Sequence, residues 1–408
     1  MKRRILNSLP VLAFALLLSC GPISQPGTST IDGGREAAAQ PYVVFQDQTR
    51  EIVGHAEKLI EKNEREGAVL DQKWYGFRRF GEYQDLFLGA ERVLFYGGLE
   101  AEVRSLIAKD YLNFVPLEDN QDPGDIRLFA GHLPGKKWDY IIIGQNGREV
   151  ALKTVIRLIY MAKFADEDMK QKHQIRLRAF SKSLRVFMSP VSPRREYLNF
   201  FNHHGIRNPD AVVIGFMDDA RGLMRKIGFT KPEIYSDESL RVIWYKHANG
   251  KKVLLVSING NRIFASRSGD LIRVLYEISS SSHPVITFLG SAGAVDAPEL
   301  VGKLVAPTSV VNGDPFPSIK SHGELVQLIH NHAADLVPIH TIHASVESVV
   351  VETTHWAQEI KNRRVKTVDQ ELYHVIDAIN SSPRGVASQL YVGILVTDNV
   401  STDKSVSD

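Results

Sequence analysis

The segment Pro284-Val-Ile-Thr-Phe-Leu-Gly-Ser-Ala-Gly293 is an apolar run that stops at glycines. Its β-branched and aromatic residues predict a buried strand over 284–289. The glycines then allow a tight turn and let backbone N–H groups approach an anion or a polar water. Glu299-Leu-Val-Gly-Lys-Leu-Val-Ala-Pro-Thr308 follows, and its apolar part predicts a second strand over 303–307. Working outward, further strands are predicted at 211–215, 241–246, 252–257, 339–343 and 391–397. Helical spacing is predicted at 220–227, 269–278, 323–334, 355–361 and 370–379. Most of these strands are apolar on both faces, as expected where helices cover both sides of a sheet. The pattern is that of an α/β domain.

Upstream, Ser189-Pro-Val-Ser-Pro193 breaks the alternation and predicts a connector. Before it, apolar residues at helical spacing (Ile52, Ala56, Leu59, Ile60) predict a helix within 43–66. Arg92-Val-Leu-Phe-Tyr-Gly-Gly98 predicts a strand entering a glycine turn, and 100–108 the helix after it. Trp138-Asp-Tyr-Ile-Ile-Ile-Gly144 repeats the pattern, with a long helix predicted at 148–164. No complete dinucleotide fingerprint is present. The basic residues within 170–185 predict a solvated helix face. Trp74 to Phe87 is aromatic and basic and carries no clear period.

At the N-terminus, Lys2, Arg3 and Arg4 precede an apolar run from Val11 to Leu18, too short to span a bilayer comfortably. Leu17-Leu-Ser-Cys20-Gly21 follows and resembles the lipobox of bacterial lipoproteins. The resemblance implies cleavage before Cys20, lipidation of its thiol, and anchorage to a bacterial envelope, at the outer membrane facing the periplasm. Cys20 is the single cysteine, so an internal disulfide is excluded. Residues 20–40 are rich in small and polar types and predict a flexible tether. The expected organisation is a signal segment over 1–19, the tether over 20–40, an α/β region of unassigned role over 41–200, and a second domain over 208–402. A net charge of +2 argues against a nucleic-acid-coating protein.

Three motifs of the second domain resemble those of the nucleoside phosphorylase superfamily, and within it the methylthioadenosine/S-adenosylhomocysteine nucleosidase branch. They are Gly290-Ser-Ala-Gly293, Val368-Asp-Gln-Glu371 opening a helix, and Val396-Thr-Asp-Asn399 at a strand end. Val213-Ile-Gly-Phe-Met-Asp-Asp219 and Ser257-Ile-Asn-Gly260 add to them. Their order and spacing follow the family across roughly 190 residues, a length within the usual range of one domain. The resemblance implies a three-layer αβα fold with a central mixed sheet. It also implies a purine-type nucleoside as ligand, a possible homodimer, and no organic cofactor.

Cleaving an N-ribosidic bond builds positive charge on the sugar and negative charge on the departing base. A general acid beside the base lowers that barrier, and Asp398 stands at the family's position for it. Glu371 matches the carboxylate that accepts from the sugar hydroxyls and stabilises the cation. Gln370 stands where the family usually has Met. Gly290, Ser291 and Gly293 would form the floor under water or phosphate. Phosphorylases of the superfamily usually carry an arginine where this chain has Phe288, and losing it removes a charge-assisted phosphate contact. Arg262 and Arg267 are the nearby cations that remain. In the nucleosidase branch an acidic triplet helps activate water; here it is Asp218-Asp219-Ala220, which leaves Asp219 as the candidate base. Asn259 and Ser257 are candidates for the sugar, and His343 and Trp356 for the base.

The same residue types also serve plain structural ends. Asp398 suits a turn cap, Glu371 an exposed helix position, and Trp356 a core. His330 and His332 lack the i, i+4 spacing of a helical metal pair, so no metal site is expected. Three functions stay open from sequence: hydrolysis of a nucleoside, phosphorolysis, and binding without chemistry.

Overall fold

The computed structural model describes residues 44–65, 84–107, 110–111, 113–117, 126–135, 138–165, 168, 171, 177–215, 232–237, 240–246, 250–257, 266–279, 284–312, 314–315, 339–346, 354–383, 390–399 and 404–405. The signal segment, the tether, Cys20 and the helices expected at 220–227 and 323–334 lie outside them. So do Asp218, Asp219, Ala220, Asn259, Arg262, His330 and His332.

The first sheet uses β1 (Gln46–Asp47), β2 (Val93–Gly97), β3 (Asn113–Pro116), β4 (Ile126–His132), β5 (Trp138–Gly144) and β6 (Leu184–Met188), in the order β1-β6-β2-β5-β4-β3. Strand β2 runs parallel to both β5 and β6, and the outer pairings are antiparallel. Alternate residues feed opposite faces. Val93, Phe95, Tyr140 and Ile142 pack with helices α1 (Thr49–Arg65), α2 (Gln84–Gly89) and α4 (Arg148–Phe164). Leu94, Tyr96, Ile141 and Ile143 pack with α3 (Glu100–Ile107). Helix α4 is buried nearly all round, which explains why its sequence is apolar without a clear stripe.

The basic stretch expected as a helix face is only partly helical. Helix α5 (Leu177–Ser183) ends there, and β6 follows directly. Leu184, Val186 and Met188 alternate inward, a period of two that the charged residues beside them mask.

Among the described residues the second sheet has eleven strands. They are β7 (Ala211–Gly215), β8 (Glu233–Ser236), β9 (Arg241–Lys246), β10 (Lys252–Ser257), β11 (Val285–Ala294), β12 (Leu304–Asn312), β13 (Asp314–Pro315), β14 (Ile339–Ser345), β15 (Val365–Asp369), β16 (Leu390–Asn399) and β17 (Lys404–Ser405). Parallel and antiparallel pairs are mixed, so the domain is an α/β fold around a central mixed sheet. One end of the sheet closes on itself, because β16 pairs with β11 as well as with β12. The ring runs β11-β16-β12-β14-β15 and returns to β11.

Helices α6 (Pro193–His203), α7 (Ser266–Ile278) and α9 (Leu372–Ser381) share one core with β7, β10, β11 and β16. Helix α8 (Thr354–Asn362) belongs to a separate cluster with Val365 and Val368, where Trp356 packs. Helix α6 follows the expected connector and starts with Ser192 as its cap and Pro193 in its first turn. Its Tyr197, Phe200 and Phe201 face the second core, so this helix packs with the second sheet. Among the described residues no helix is long and apolar enough to cross a membrane.

Candidate active site

Gly290 to Gly293 do not form a turn after a strand, as the sequence suggested. They lie inside β11, which continues to Ala294. Partners on both sides explain the extension: β16 pairs with β11 along its whole length, and β15 joins at the last two residues. Gly290 is required by packing. A Cβ there would lie 2.7 Å from the Phe288 ring and 3.1 Å from Ile394 Cδ1. Phe288, at the position where phosphorylases carry arginine, is buried in the core.

β11 pairs with β7 up to Leu289, which stands opposite Gly215, and β7 pairs with β10 at the same level through Ser257. Beyond that level β11 pairs with β16 and, at Gly293 and Ala294, with β15. Ser291 and Gly293 are half-buried on this stretch. At its tip Gly293 is paired with Asp398 of β16, just past a bulge, and with Val368 of β15. Thr397 donates from Oγ1 to the Ala292 carbonyl at 3.4 Å. The three motifs, separated along the chain, are therefore neighbours in the sheet.

The motif from Val368 to Glu371 leads into a helix as expected, and α9 begins at Leu372. Val368 and Asp369 themselves end a strand that the sequence did not predict, β15 (Val365–Asp369). The β-branched residues Val365, Thr367 and Val368 pair with β14 and β11, as suits their side chains. Asp369 is buried, and its carboxylate organises the turn into α9. It accepts from Ser345 Oγ at 2.5 Å, from the Glu371 backbone N–H at 3.2 Å and from the Leu372 N–H at 3.2 Å. Ser345 Oγ in turn accepts from the Tyr373 N–H at 2.9 Å. These bonds satisfy donors that a helix start leaves open. Gln370 and Glu371 follow, half-buried at the start of α9.

His343 stands beneath this turn and not on an opening. It is 0 % exposed. Its Nδ1 is 2.9 Å from Thr367 Oγ1 and its Nε2 is 2.9 Å from Asp369 Oδ1. A contact with a base is closed to it in this arrangement, where its ring lies between Thr367 and the Asp369 carboxylate.

Arg267, one of the two cations considered for phosphate, is spent elsewhere. It is 1 % exposed and forks to Tyr197 Oη at 3.0 Å, Glu196 Oε2 at 2.8 Å and the Asn146 carbonyl at 3.0 Å. Burial works against its charge, but Tyr197 and Glu196 outweigh that and hold the guanidinium above the usual arginine range. Sequence reading missed this cluster, in which the partners of Arg267 lie 70 to 121 residues from it along the chain. The first domain also carries an open cleft of ≈ 720 Å³ that includes Arg50, Glu51, His55, Lys58 and Arg148. Its Arg148 is already bonded to Glu51 at 3.1 Å and His55 at 2.8 Å. Among the described residues no group of three or more His, Cys, Asp or Glu side chains is placed to hold a metal ion.

The chain matches no family model and no curated protein. It is similar to several solved structures. A futalosine hydrolase mutant of Helicobacter pylori is 12% identical, with 47% of this chain and 88% of that one covered and a TM-score of 0.37. The 5′-methylthioadenosine/S-adenosylhomocysteine nucleosidase of Neisseria meningitidis, in complex with methylthio-immucillin-A, is 15% identical over 47% and 87% of the two chains, with a TM-score of 0.37. Purine nucleoside phosphorylase from Toxoplasma gondii, in complex with immucillin-H, is 13% identical over 47% and 78%, with a TM-score of 0.34.

Proposed function

We propose that this chain hydrolyses the N-ribosidic bond of a purine-type nucleoside. The supporting observation is the pairing of Gly293 with both Asp398 and Val368. It puts the glycine stretch, the strand end bearing Asp398 and the turn bearing Glu371 next to one another. The motif resemblance assigns the same three segments to water, departing base and sugar.

In this reading the C1′–N bond breaks as Asp398 donates its proton to the leaving base. Glu371 accepts from the sugar hydroxyls and offsets the positive charge that develops on the ring. Ser291 and the adjacent backbone orient a water whose oxygen bonds to C1′. The proton that this water loses passes to a base, for which Asp219 is the candidate. Water is favoured over phosphate because Phe288 replaces a cation and Arg267 is committed to Glu196, Tyr197 and Asn146.

Binding without chemistry is the second reading, and Ala220 favours it by removing a carboxylate from the acidic stretch. The deciding experiment incubates the protein with a panel of purine nucleosides, with and without phosphate, and follows free base by chromatography. Hydrolysis predicts base release that is independent of phosphate. Release only with phosphate means phosphorolysis, and saturable binding with no release leaves the binding reading.

We further propose that Cys20 carries a lipid that holds the chain at a bacterial envelope. One acyl-type anchor suffices to partition a protein to a membrane surface when it carries more than one chain. Cys20→Ser is expected to move the protein from the membrane to the soluble fraction on fractionation; unchanged sedimentation with membranes refutes the anchor.

A further inference from the structure

Open α/β sheets take ligands in the crevice beyond the carboxyl ends of their parallel strands. In the first sheet that place is at Gly97 of β2 and Gly144 of β5, and protein fills it. A Cβ on Gly97 would lie 2.6 Å from Met188 Cε, and one on Gly98 would lie 2.9 Å from the Phe45 ring. Gln145 and Asn146, which follow β5, are buried. Asn146 donates from Nδ2 to the Ser189 carbonyl at 3.0 Å and also to the Val191 carbonyl. Its own carbonyl accepts from Arg267 of the second domain at 3.0 Å.

Arg267 sits in the first turn of α7, and the next residue reaches the candidate site. Ser268 is 0 % exposed and donates from Oγ to the Glu371 carbonyl at 3.0 Å. Gly269 brings α7 against α9 so closely that a Cβ there would be 2.8 Å from the His374 carbonyl oxygen. The path from Asn146 to Arg267, to Ser268, to Glu371 is thus a run of bonded neighbours, buried as far as Ser268 and half-buried at Glu371. We propose that the first domain positions Glu371: Asn146 holds the start of α7 through Arg267, and Ser268 holds the Glu371 backbone. Arg267 and Ser268 are positioning residues in this scheme. The scheme rests on the reading of Glu371 as the sugar carboxylate.

The test uses the full chain and the variants Ser268→Ala and Arg267→Lys, the second keeping charge while losing the three-way fork. Hydrogen exchange of the peptide over 369–374 is expected to quicken about two- to tenfold in both, the worth of one lost hydrogen bond. Peptides from β2 and β5 and from β7 and β10 are expected to exchange as in the parent chain, which also shows that both sheets of the variants fold. Turnover is compared on a ribonucleoside and its 2′-deoxy analogue. The preference for the ribonucleoside is expected to fall several-fold in both variants, a change that general loosening would not produce. Unchanged exchange at 369–374 overturns the proposal, as does an unchanged preference in a chain that turns nucleoside over. An effect in Ser268→Ala alone also overturns it, because the first domain then plays no part. If the parent chain releases no base, the nucleosidase reading falls by itself, and the exchange result still decides whether the first domain holds this turn.

Discussion

Asp398→Asn is expected to lower base release by about 10²- to 10⁴-fold while leaving nucleoside affinity within a factor of about three, the range that general acid catalysis supplies. The substitution keeps shape and removes the proton donor, so the departing base must leave as an anion. Strand pairing is unaffected, since position 398 joins Gly293 and Ser405 through its backbone. Single-turnover measurement of free base, beside equilibrium binding of the same nucleoside, separates chemistry from affinity. Turnover equal to that of the parent chain removes Asp398 from the mechanism. A parallel loss of affinity makes it a binding group instead.

Arg267→Met is expected to cost about 3–5 kcal/mol of stability, the usual cost of leaving a buried partner charge uncompensated. Glu196 is 6 % exposed and receives the Arg267 guanidinium at 2.8 Å. With the cation gone, its carboxylate must stay desolvated or take up a proton. Methionine fills much of the volume, so the loss reports charge and hydrogen bonding more than a cavity. Glu196→Gln in the same chain is expected to recover part of it, because the stranded charge is then removed as well. Urea unfolding of the parent chain and the two variants measures this. A loss below about 1 kcal/mol in Arg267→Met would place the cluster among surface-like pairs and contradict its burial. The loss is a large share of the 5–15 kcal/mol that holds a typical fold together. The variant therefore belongs in a titration rather than in an activity assay.

Strong local periods made much of the fold legible. The strands at 138–144, 211–215, 241–246 and 252–257 and the helix at 148–164 stand where apolar spacing puts them. Elements whose signal depends on a distant partner were not legible. β6 hides behind basic residues, and β15 is short and ends in the motif that reads as the opening of the next helix. β4 and β8 were missed as well, although β4 is paired along its whole length with β5. At the candidate site, the glycines, Asp398 and Glu371 were visible as residue types at family spacing. Their adjacency depends on the register of β11 with β15 and β16, which no local pattern encodes.

By itself the sequence determined the α/β class, the apolar strands, the glycines of β11 and the carboxylates that the proposed function draws on. These follow from side-chain period, backbone freedom and charge, all of which act within a few residues. Tertiary structure alone decided that β11 runs through its glycines, that His343 is sealed behind Asp369, and that Arg267 serves Glu196, Tyr197 and Asn146. A histidine or an arginine carries the same chemistry wherever it stands. Whether it meets a ligand or a buried carboxylate depends on groups brought together from up to 121 residues away.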